Sequence, residues 1–277
     1  AGGRGEAAPA RRGLIVGDAV DAAVTAITAA GCATPRLDAE VLVSDALRAD
    51  RSLLHASPDW AITGEQARVI GERVRRRVAR EPVAYILGWR GFRRIEVLVD
   101  ARVLIPRPET ELLVEVALEL PRGASVHDVG TGSGAVALAL LDERPDLVVS
   151  ASDASAAAVE VARANAQRLG LPLEVSVHRG LPPGNREMVL GNLPYVREDE
   201  WDGLAPEIRE WEPRAALVAG AGGLEAIREL IEGAPGGTRL ALEHAPGQAT
   251  EVRALLDEPT TLNDLAGRER VTVGITP

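Results

Sequence analysis

Two rhythms of apolar and polar positions divide the chain. From Gly17 to about Arg80, apolar residues recur three and four apart. Val20, Val24, Ile27 and Ala30 form one stripe, Leu37, Val41, Leu42 and Leu47 a second, and a third runs from Gln66 to Val78. That spacing is the period of amphipathic helices, and Thr34-Pro35 and Ser57-Pro58 punctuate it. It predicts a small all-helical domain over 13–82. Residues 1–12, mostly Gly, Ala, Arg and Pro without periodicity, read as a disordered leader. Over 83–105 the pattern shortens. Gly88-Trp89-Arg90-Gly91 sits between short apolar runs and Ile95–Val99 alternates, which predicts a β-hairpin linker. Pro106-Arg107-Pro108 closes it, and Glu109–Leu120 reads as an amphipathic helix.

From Ala124 the rhythm becomes strand, helix, strand. Strands are expected at Ser125–Val129, Leu147–Ser152, Leu173–Val177, Met188–Leu190, Thr238–Glu243 and Arg270–Ile275. Helices are expected at Ala135–Leu141, Ala156–Leu169 and Gly223–Ile231, with Ala215–Gly223 read as a loop. Such alternation implies an α/β domain over 106–277, with a mostly parallel sheet covered on both faces.

Two segments at strand ends carry candidate chemistry. His127-Asp128-Val129-Gly130-Thr131-Gly132-Ser133-Gly134 follows a strand and opens a helix. Its glycines let the backbone approach a ligand closely, and a helix N-terminus offers free N–H groups. Asp153, at the end of the next strand, can accept from both ribose hydroxyls. The spacing also fits a dinucleotide fingerprint, so the element alone reads as a nucleoside seat, for S-adenosylmethionine or NAD. Asp128 favours the former, because a carboxylate there repels a pyrophosphate and can instead hold an ammonium. A tight strand–helix turn with no ligand is the plain structural alternative.

Asn192-Leu193-Pro194-Tyr195 follows the fourth strand. An Asn carbonyl can accept from a substrate NH₂, and the Leu193 carbonyl can accept from it as well. Two acceptors would aim the nitrogen lone pair at an incoming methyl, which matters for a nucleophile as poor as an amide. Pro194 holds Leu193 extended, and Tyr195 offers a face to a planar group. An ordinary Asn-x-Pro turn is the plain alternative.

Composition narrows the classes. The 277 residues are 46% apolar and 3% aromatic, with net charge −10 and pI about 5.1. An acidic chain is poorly suited to unaided phosphate-backbone binding. A single cysteine, Cys32, excludes an internal disulfide and a Cys-based metal cluster. His127, His178 and His244 lie in separate segments without ligand spacing, so no metal is expected. With no signal-like segment or long apolar run, a cytoplasmic protein without membrane contact is expected.

The chain resembles the PrmC/HemK family, the protein-(glutamine-N5) methyltransferases of peptide-chain release factors. The resemblance spans about 18–275. It rests on Glu81–Gly88, Leu104-Ile-Pro-Arg-Pro-Glu-Thr-Glu111, the glycine turn, the Asn192 loop, Trp211-Glu-Pro213, Leu242-Glu-His-Ala-Pro-Gly-Gln248 and Glu269-Arg-Val-Thr272. It implies a Rossmann-like class I methyltransferase domain using S-adenosylmethionine, and a helical N-terminal domain that helps dock the release factor. The acceptor would be the Gln of the factor's Gly-Gly-Gln loop. Asn192 and the Leu193 carbonyl would hold the amide, with Pro194 and Tyr195 beside it. Gly130, Thr131, Gly132 and Gly134 would seat the cofactor, Asp153 with Ala154 would take the ribose, and Arg107, Pro108 and Glu109 would lie near the acceptor.

Two departures stand out. Leu193 replaces the family's usual first Pro, and His178-Arg-Gly-Leu181 lacks the acid usually found near the adenine. Asn-Leu-Pro-Tyr also occurs in rRNA adenine dimethyltransferases. The rival reading is therefore transfer to an exocyclic amine of adenine or guanine, although the acidic charge and the scarcity of stacking aromatics disfavour nucleic acid as the direct substrate. A cofactor-binding protein without turnover and an NAD enzyme are weaker rivals. Glu243 and His244 read as pocket-shaping polar residues or as acid–base groups, and Trp211–Pro213 as packing or a substrate cover. Arg73-Val-Arg-Arg-Arg77 reads as a solvated face or as a docking face.

Overall fold

The computed structural model describes residues 14–277. The leader expected over 1–12, and Gly13, lie outside the described residues. The chain forms two compact units that divide between Leu87 and Gly88.

The first unit is helical: α1 Val16–Ala29, α2 Pro35–Leu47, α3 Arg51–Ala56, α4 Gly64–Val78 and α5 Val83–Leu87. Val16, Val20, Val43, Leu47 and Ile70 make one apolar cluster, and Ile27, Leu42 and Ile86 another. α4 starts at a capping box in which the Thr63 and Gln66 side-chain oxygens each accept from the other's backbone N–H. The Arg73–Arg77 stretch is neither a free solvated face nor a free basic one. Arg73 pairs with Asp45 at 2.6 Å, Arg76 with Glu81 and Arg77 with buried Asp38 at 2.7 Å, while Arg75 is exposed. The linker expected over 83–105 also begins differently. Val83–Leu87 is helix, with Tyr85 and Ile86 donating to the Pro82 carbonyl. Pro82 pre-sets a helical first turn, and burial of Ile86 in the helical core outweighs the β preference of Val and Ile.

The second unit opens with the hairpin of β1 Trp89–Phe92 and β2 Ile95–Leu98, in register Phe92↔Ile95. A short 3₁₀ turn, Pro108–Thr110, leads into α6 Glu111–Leu118. There follow β3 Ser125–Val129, α7 Ala135–Glu143, β4 Val148–Asp153, α8 Ala156–Leu169, β5 Glu174–Val177, β6 Met188–Gly191, β7 Val196–Arg197, α9 Pro206–Arg209, β8 Val218–Gly220, α10 Glu225–Gly233, β9 Arg239–Glu243, α11 Ala249–Arg253, β10 Asp257–Asn263 and β11 Glu269–Ile275.

Seven strands form one sheet in the order β10-β11-β9-β6-β3-β4-β5. β5, β4, β3, β6 and β9 are parallel, whereas β11 is antiparallel to both β9 and β10. β10 has no counterpart in the sequence reading. Its Asp-Glu-Pro-Thr-Thr-Leu-Asn carries no apolar alternation, and Pro259 is tolerated because the strand lies at the sheet edge. The loop expected over Ala215–Gly223 contains β8, which pairs with β7.

Chain order reverses beside β3: β4 and β5 lie on one side, β6 and β9 on the other. Ligands of open α/β sheets sit at the carboxyl ends of such a switch point. Val129 and Gly191, the last residues of β3 and β6, are register partners. The glycine turn and the Asn192 loop therefore leave the sheet side by side.

Candidate active site

The turn after β3 is glycine-built for a local reason. Gly130, Gly132 and Gly134 have φ of 72°, 55° and 83°, a region that costs other L-residues about 1–2 kcal/mol. A Cβ on Gly130 would also sit 3.0 Å from Leu193 Cδ2. Gly130→Ala is therefore expected to lower unfolding free energy by about 1–3 kcal/mol. Urea denaturation checks this, and an unchanged midpoint would contradict the close approach of the two loops. One helix away, fully buried Asn165 of α8 donates to the Ser133 carbonyl at 2.9 Å and to that of Leu98 at 3.0 Å. It thus ties the turn to the hairpin.

Asp153 ends β4. Its Oδ2 accepts from Gly132 N at 2.9 Å and its Oδ1 from Ser155 N at 2.8 Å. It lines a cavity of about 590 Å³ together with Gly130–Ser133, Ala154, His178–Gly180 and Asn192–Pro194. That size suits a nucleoside cofactor. A Cβ on Gly132 or Gly180 would meet nothing within 4 Å, so the backbone there is open to a ligand. On the side where 178–181 lacks an acid, Glu225 and Glu229 of α10 line the wall, and Glu229 holds Arg179 in a two-pronged pair at 2.6 and 2.7 Å. A nucleoside with a charged sulfonium fits these residues: a carboxylate for its diol, glycine backbone for close contact, and apolar Val129, Val136 and Leu230 for the base.

Two expected cofactor residues lie elsewhere. Gly134 packs on Leu138 and Ala162, away from the wall. Asp128 is 2% exposed and does not line the cavity. Its Oδ2 accepts from Thr131 Oγ1 at 2.6 Å and its carboxyl takes a backbone bond from Ala137, so it pins the turn to α7. Burial, with the charge of Asp153 adding, pushes its pKa up to about 7. An unfolded Asp ionises near 3.8. Between about pH 4 and 7 the folded chain therefore holds a proton the unfolded chain has shed, and this group's contribution to stability falls as pH rises. His127, pushed down to about 4 by burial, acts in the opposite sense between about 4 and 6.5. Subtraction isolates Asp128: Asp128→Asn is expected to gain stability relative to the parent as pH rises from about 4.5 to 7.5. Parallel stability–pH curves would contradict this.

The Asn192 loop divides its residues between two cavities. Asn192, Leu193 and Pro194 line the large one. Asn192 Nδ2 donates to Thr110 Oγ1 at 2.9 Å, which leaves Oδ1 as the end of the amide that can accept. Leu193 is 8% exposed and packs with Val129, Leu224, Leu230 and Leu242. Where Pro would stiffen the backbone, Leu anchors it in the core. Tyr195 instead lines a neighbouring cavity of about 220 Å³ with Arg107, Glu109, Glu243 and Arg270. Its hydroxyl donates to Glu243 Oε1 at 3.3 Å and its carbonyl accepts from Gln248 Nε2 at 2.9 Å. Burial and the Glu243 charge raise its pKa.

Arg107 pairs with buried Glu212, whose other oxygen accepts from Ile105 N at 3.1 Å. Glu212 therefore ties down the Ile105 backbone and the Arg107 side chain. Glu109 lies 3.6 Å from Arg268 and 3.9 Å from Arg270, and Pro108 lines neither cavity. Glu243 is 1% exposed, and burial raises its pKa to about 7. His244 bonds the Ala245 carbonyl and Thr272, and His127 bonds Ser150 and Ser152, so both are committed inside the fold. Thr110, Asn165 and Gln248 had no assigned role in the sequence. The only signal was that Thr110 and Gln248 fall inside two distinctive motif segments.

A seven-stranded sheet with its glycine turn and Asn loop meeting over the switch point is the architecture of a Rossmann-like class I methyltransferase, dependent on S-adenosylmethionine, and the second unit is of that class. Residues 18–88 match the PrmC N-terminal domain and 108–205 the methyltransferase small domain. A release factor glutamine methyltransferase of Xylella fastidiosa (strain Temecula1) is 40% identical over 258 residues, 87% of this chain and 94% of that protein. One of Koribacter versatilis (strain Ellin345) is 37% identical over 274 residues, 94% and 98% of the two chains. The chain belongs to the release factor glutamine methyltransferase family. Among solved structures, the hMettl16 catalytic domain in complex with an RNA hairpin overlays with TM-score 0.53 at 14% identity, covering 65% of this chain and 74% of that one. That likeness concerns the fold alone.

Proposed function

We propose that the protein transfers a methyl group from S-adenosylmethionine to the side-chain amide nitrogen of the Gln in the Gly-Gly-Gln loop of peptide-chain release factors. The observation that carries this is the fixed Asn192 amide on the cavity wall, its Nδ2 engaged by Thr110 at 2.9 Å. The cofactor supplies an electrophilic methyl on a sulfonium. Asn192 Oδ1 and the Leu193 carbonyl accept the two N–H groups of the substrate amide, turning its lone pair towards the methyl. The N–C bond forms as the C–S bond breaks, and the nitrogen sheds a proton to water. Asp153 holds the ribose, and Gly130–Gly132 lie along the cofactor backbone. Most of the rate is then orientation and pre-set polar contacts.

A release factor substrate places the reaction in the cytoplasm, with the helical unit supplying part of the protein contact. Arg73, Arg76 and Arg77 are internally paired in that unit. Among the described residues no helix is long and apolar enough to cross a membrane. Net charge −10 is poorly suited to unaided phosphate-backbone binding, which favours a protein over nucleic acid as the direct substrate.

The test is transfer of labelled methyl to purified release factor, to the same factor with its loop Gln changed to Ala, and to bulk rRNA. Label on the intact factor alone supports the reading. Label on rRNA replaces it with the adenine or guanine reaction.

A further inference from the structure

We propose that the Arg179–Glu229 pair reads the hydrogen-bonding edge of the cofactor's base and so selects adenine over a 6-oxo purine. This rests on the placement of the ribose at Asp153 and of the acceptor amide at Asn192 in the functional reading above.

Strand order decides where the base lies. Across the sheet the strands run β6, β3, β4, β5. Asn192 follows β6 and Asp153 ends β4, with β3 between them. A ribose held at Asp153 sends the arm that carries the sulfonium and its methyl towards Asn192. The base leaves from the other side of the sugar, towards β5. Asp153 and Val177, the last residue of β5, are register partners, and His178 N donates to the Asp153 carbonyl at 2.9 Å. The base therefore meets 178–180, which lines the same cavity.

That loop has no carboxylate of its own, and 178–187 joins β5 to β6 without a helix. The wall there is completed by α10. Leu181 packs on the apolar cluster that contains Ile227 and Leu230, which seats the loop against that helix. Three acids line the cavity, Asp153, Glu225 and Glu229. Asp153 serves the ribose. Glu225 Oε1 accepts from Gly222 N at 2.7 Å, at the start of its own helix. Glu229 remains, one turn further along the same face. Arg179 holds it through Nε at 2.6 Å and Nη2 at 2.7 Å.

The unused groups of the pair put a donor beside an acceptor. Arg179 Nη1 still has N–H bonds to give, and each Glu229 oxygen keeps a lone pair. Arg179 also holds the Glu229 carboxyl below the usual carboxylate range, so it accepts at neutral pH. The side chains are 77% and 47% exposed, within reach of an incoming base. Adenine offers the matching order, a 6-amino donor beside a ring-nitrogen acceptor. Hypoxanthine carries a 6-oxo acceptor instead, which sets oxygen against the Glu229 carboxylate.

Calorimetric titration of the full chain with S-adenosylhomocysteine and with S-inosylhomocysteine tests this without turnover. The parent is expected to bind the adenosyl ligand about tenfold more tightly, the size of one bond to a charged group. Glu229→Ala removes the acceptor. It should weaken the adenosyl ligand about tenfold and leave the inosyl ligand unchanged or slightly tighter, so that discrimination vanishes. A parent that binds both ligands alike overturns the proposal. So does a Glu229→Ala enzyme that weakens both by the same factor, as a residue that only shapes the wall would. Asp153→Ala separates the pair from the placement beneath it: with the ribose elsewhere, that variant keeps full adenosyl affinity whatever Glu229→Ala does. No methyl acceptor is present, so the result stands apart from which substrate is methylated.

Discussion

Asn192→Ala is expected to lower kcat by about 10²–10³-fold, the loss seen when one preorganised polar group at a reacting centre is removed. The side chain stands on the wall of the large cavity, its Nδ2 tied to Thr110 at 2.9 Å and its Oδ1 turned to accept. In the proposed reaction Ala removes that acceptor and leaves the Leu193 carbonyl as the sole grip on the amide. The lone pair is then free to rotate away from the methyl. Cofactor affinity should change far less, since Asp153 and the glycine turn remain. Single-turnover transfer together with a cofactor titration separates the two quantities. Full activity in the variant would mean that the amide is held elsewhere.

Asp153→Ala acts on the other partner. Its carboxylate faces the cavity and also props the turn, accepting from Gly132 N at 2.9 Å and Ser155 N at 2.8 Å. Hydrogen bonds to a charged group contribute about 1.5–3 kcal/mol each. Losing those to a ribose diol should therefore weaken S-adenosylmethionine by roughly 100-fold or more. Asp153→Asn keeps one acceptor for Gly132 N and should lie between the parent and Asp153→Ala. Calorimetric titration measures all three. Equal affinities would move the ribose away from β4.

Much of the catalytic unit could be read from residue order. Ser125–Val129 and Ala156–Leu169 have the same bounds in pattern and structure. The first is a strand buried without a break from Val126 to Val129. The second starts at a Ser155 cap that accepts from Ala158 N and ends at Gly170 with φ 68°. Local chemistry sets such boundaries, so a sequence carries them. Helix α5 does not work that way, because Val83–Leu87 is apolar in either conformation and is decided by where Ile86 is buried. β10 was hidden because its pairing with β11 is main-chain and its residues are polar.

The site shows the same division. Gly130, Asp153 and Asn192 follow from strand ends and residue chemistry. Which way a side chain turns does not. Asp128 turns inward to Thr131, and Tyr195 turns to Glu243, into a cavity separate from that of Asn192. Three of the four arginines in 73–77 find carboxylates within their own helical unit. Thr110 is far from Asn192 in sequence, as Glu243 is from Tyr195, and only the fold joins each pair.

The most direct measurement is tandem mass spectrometry of a release factor incubated with the enzyme and S-adenosylmethionine. One added methyl, located on the side-chain nitrogen of the loop Gln and absent when Asn192→Ala replaces the parent enzyme, is the expected result. A methyl on another residue of the factor, or an unmodified factor beside methylated RNA, would contradict the account.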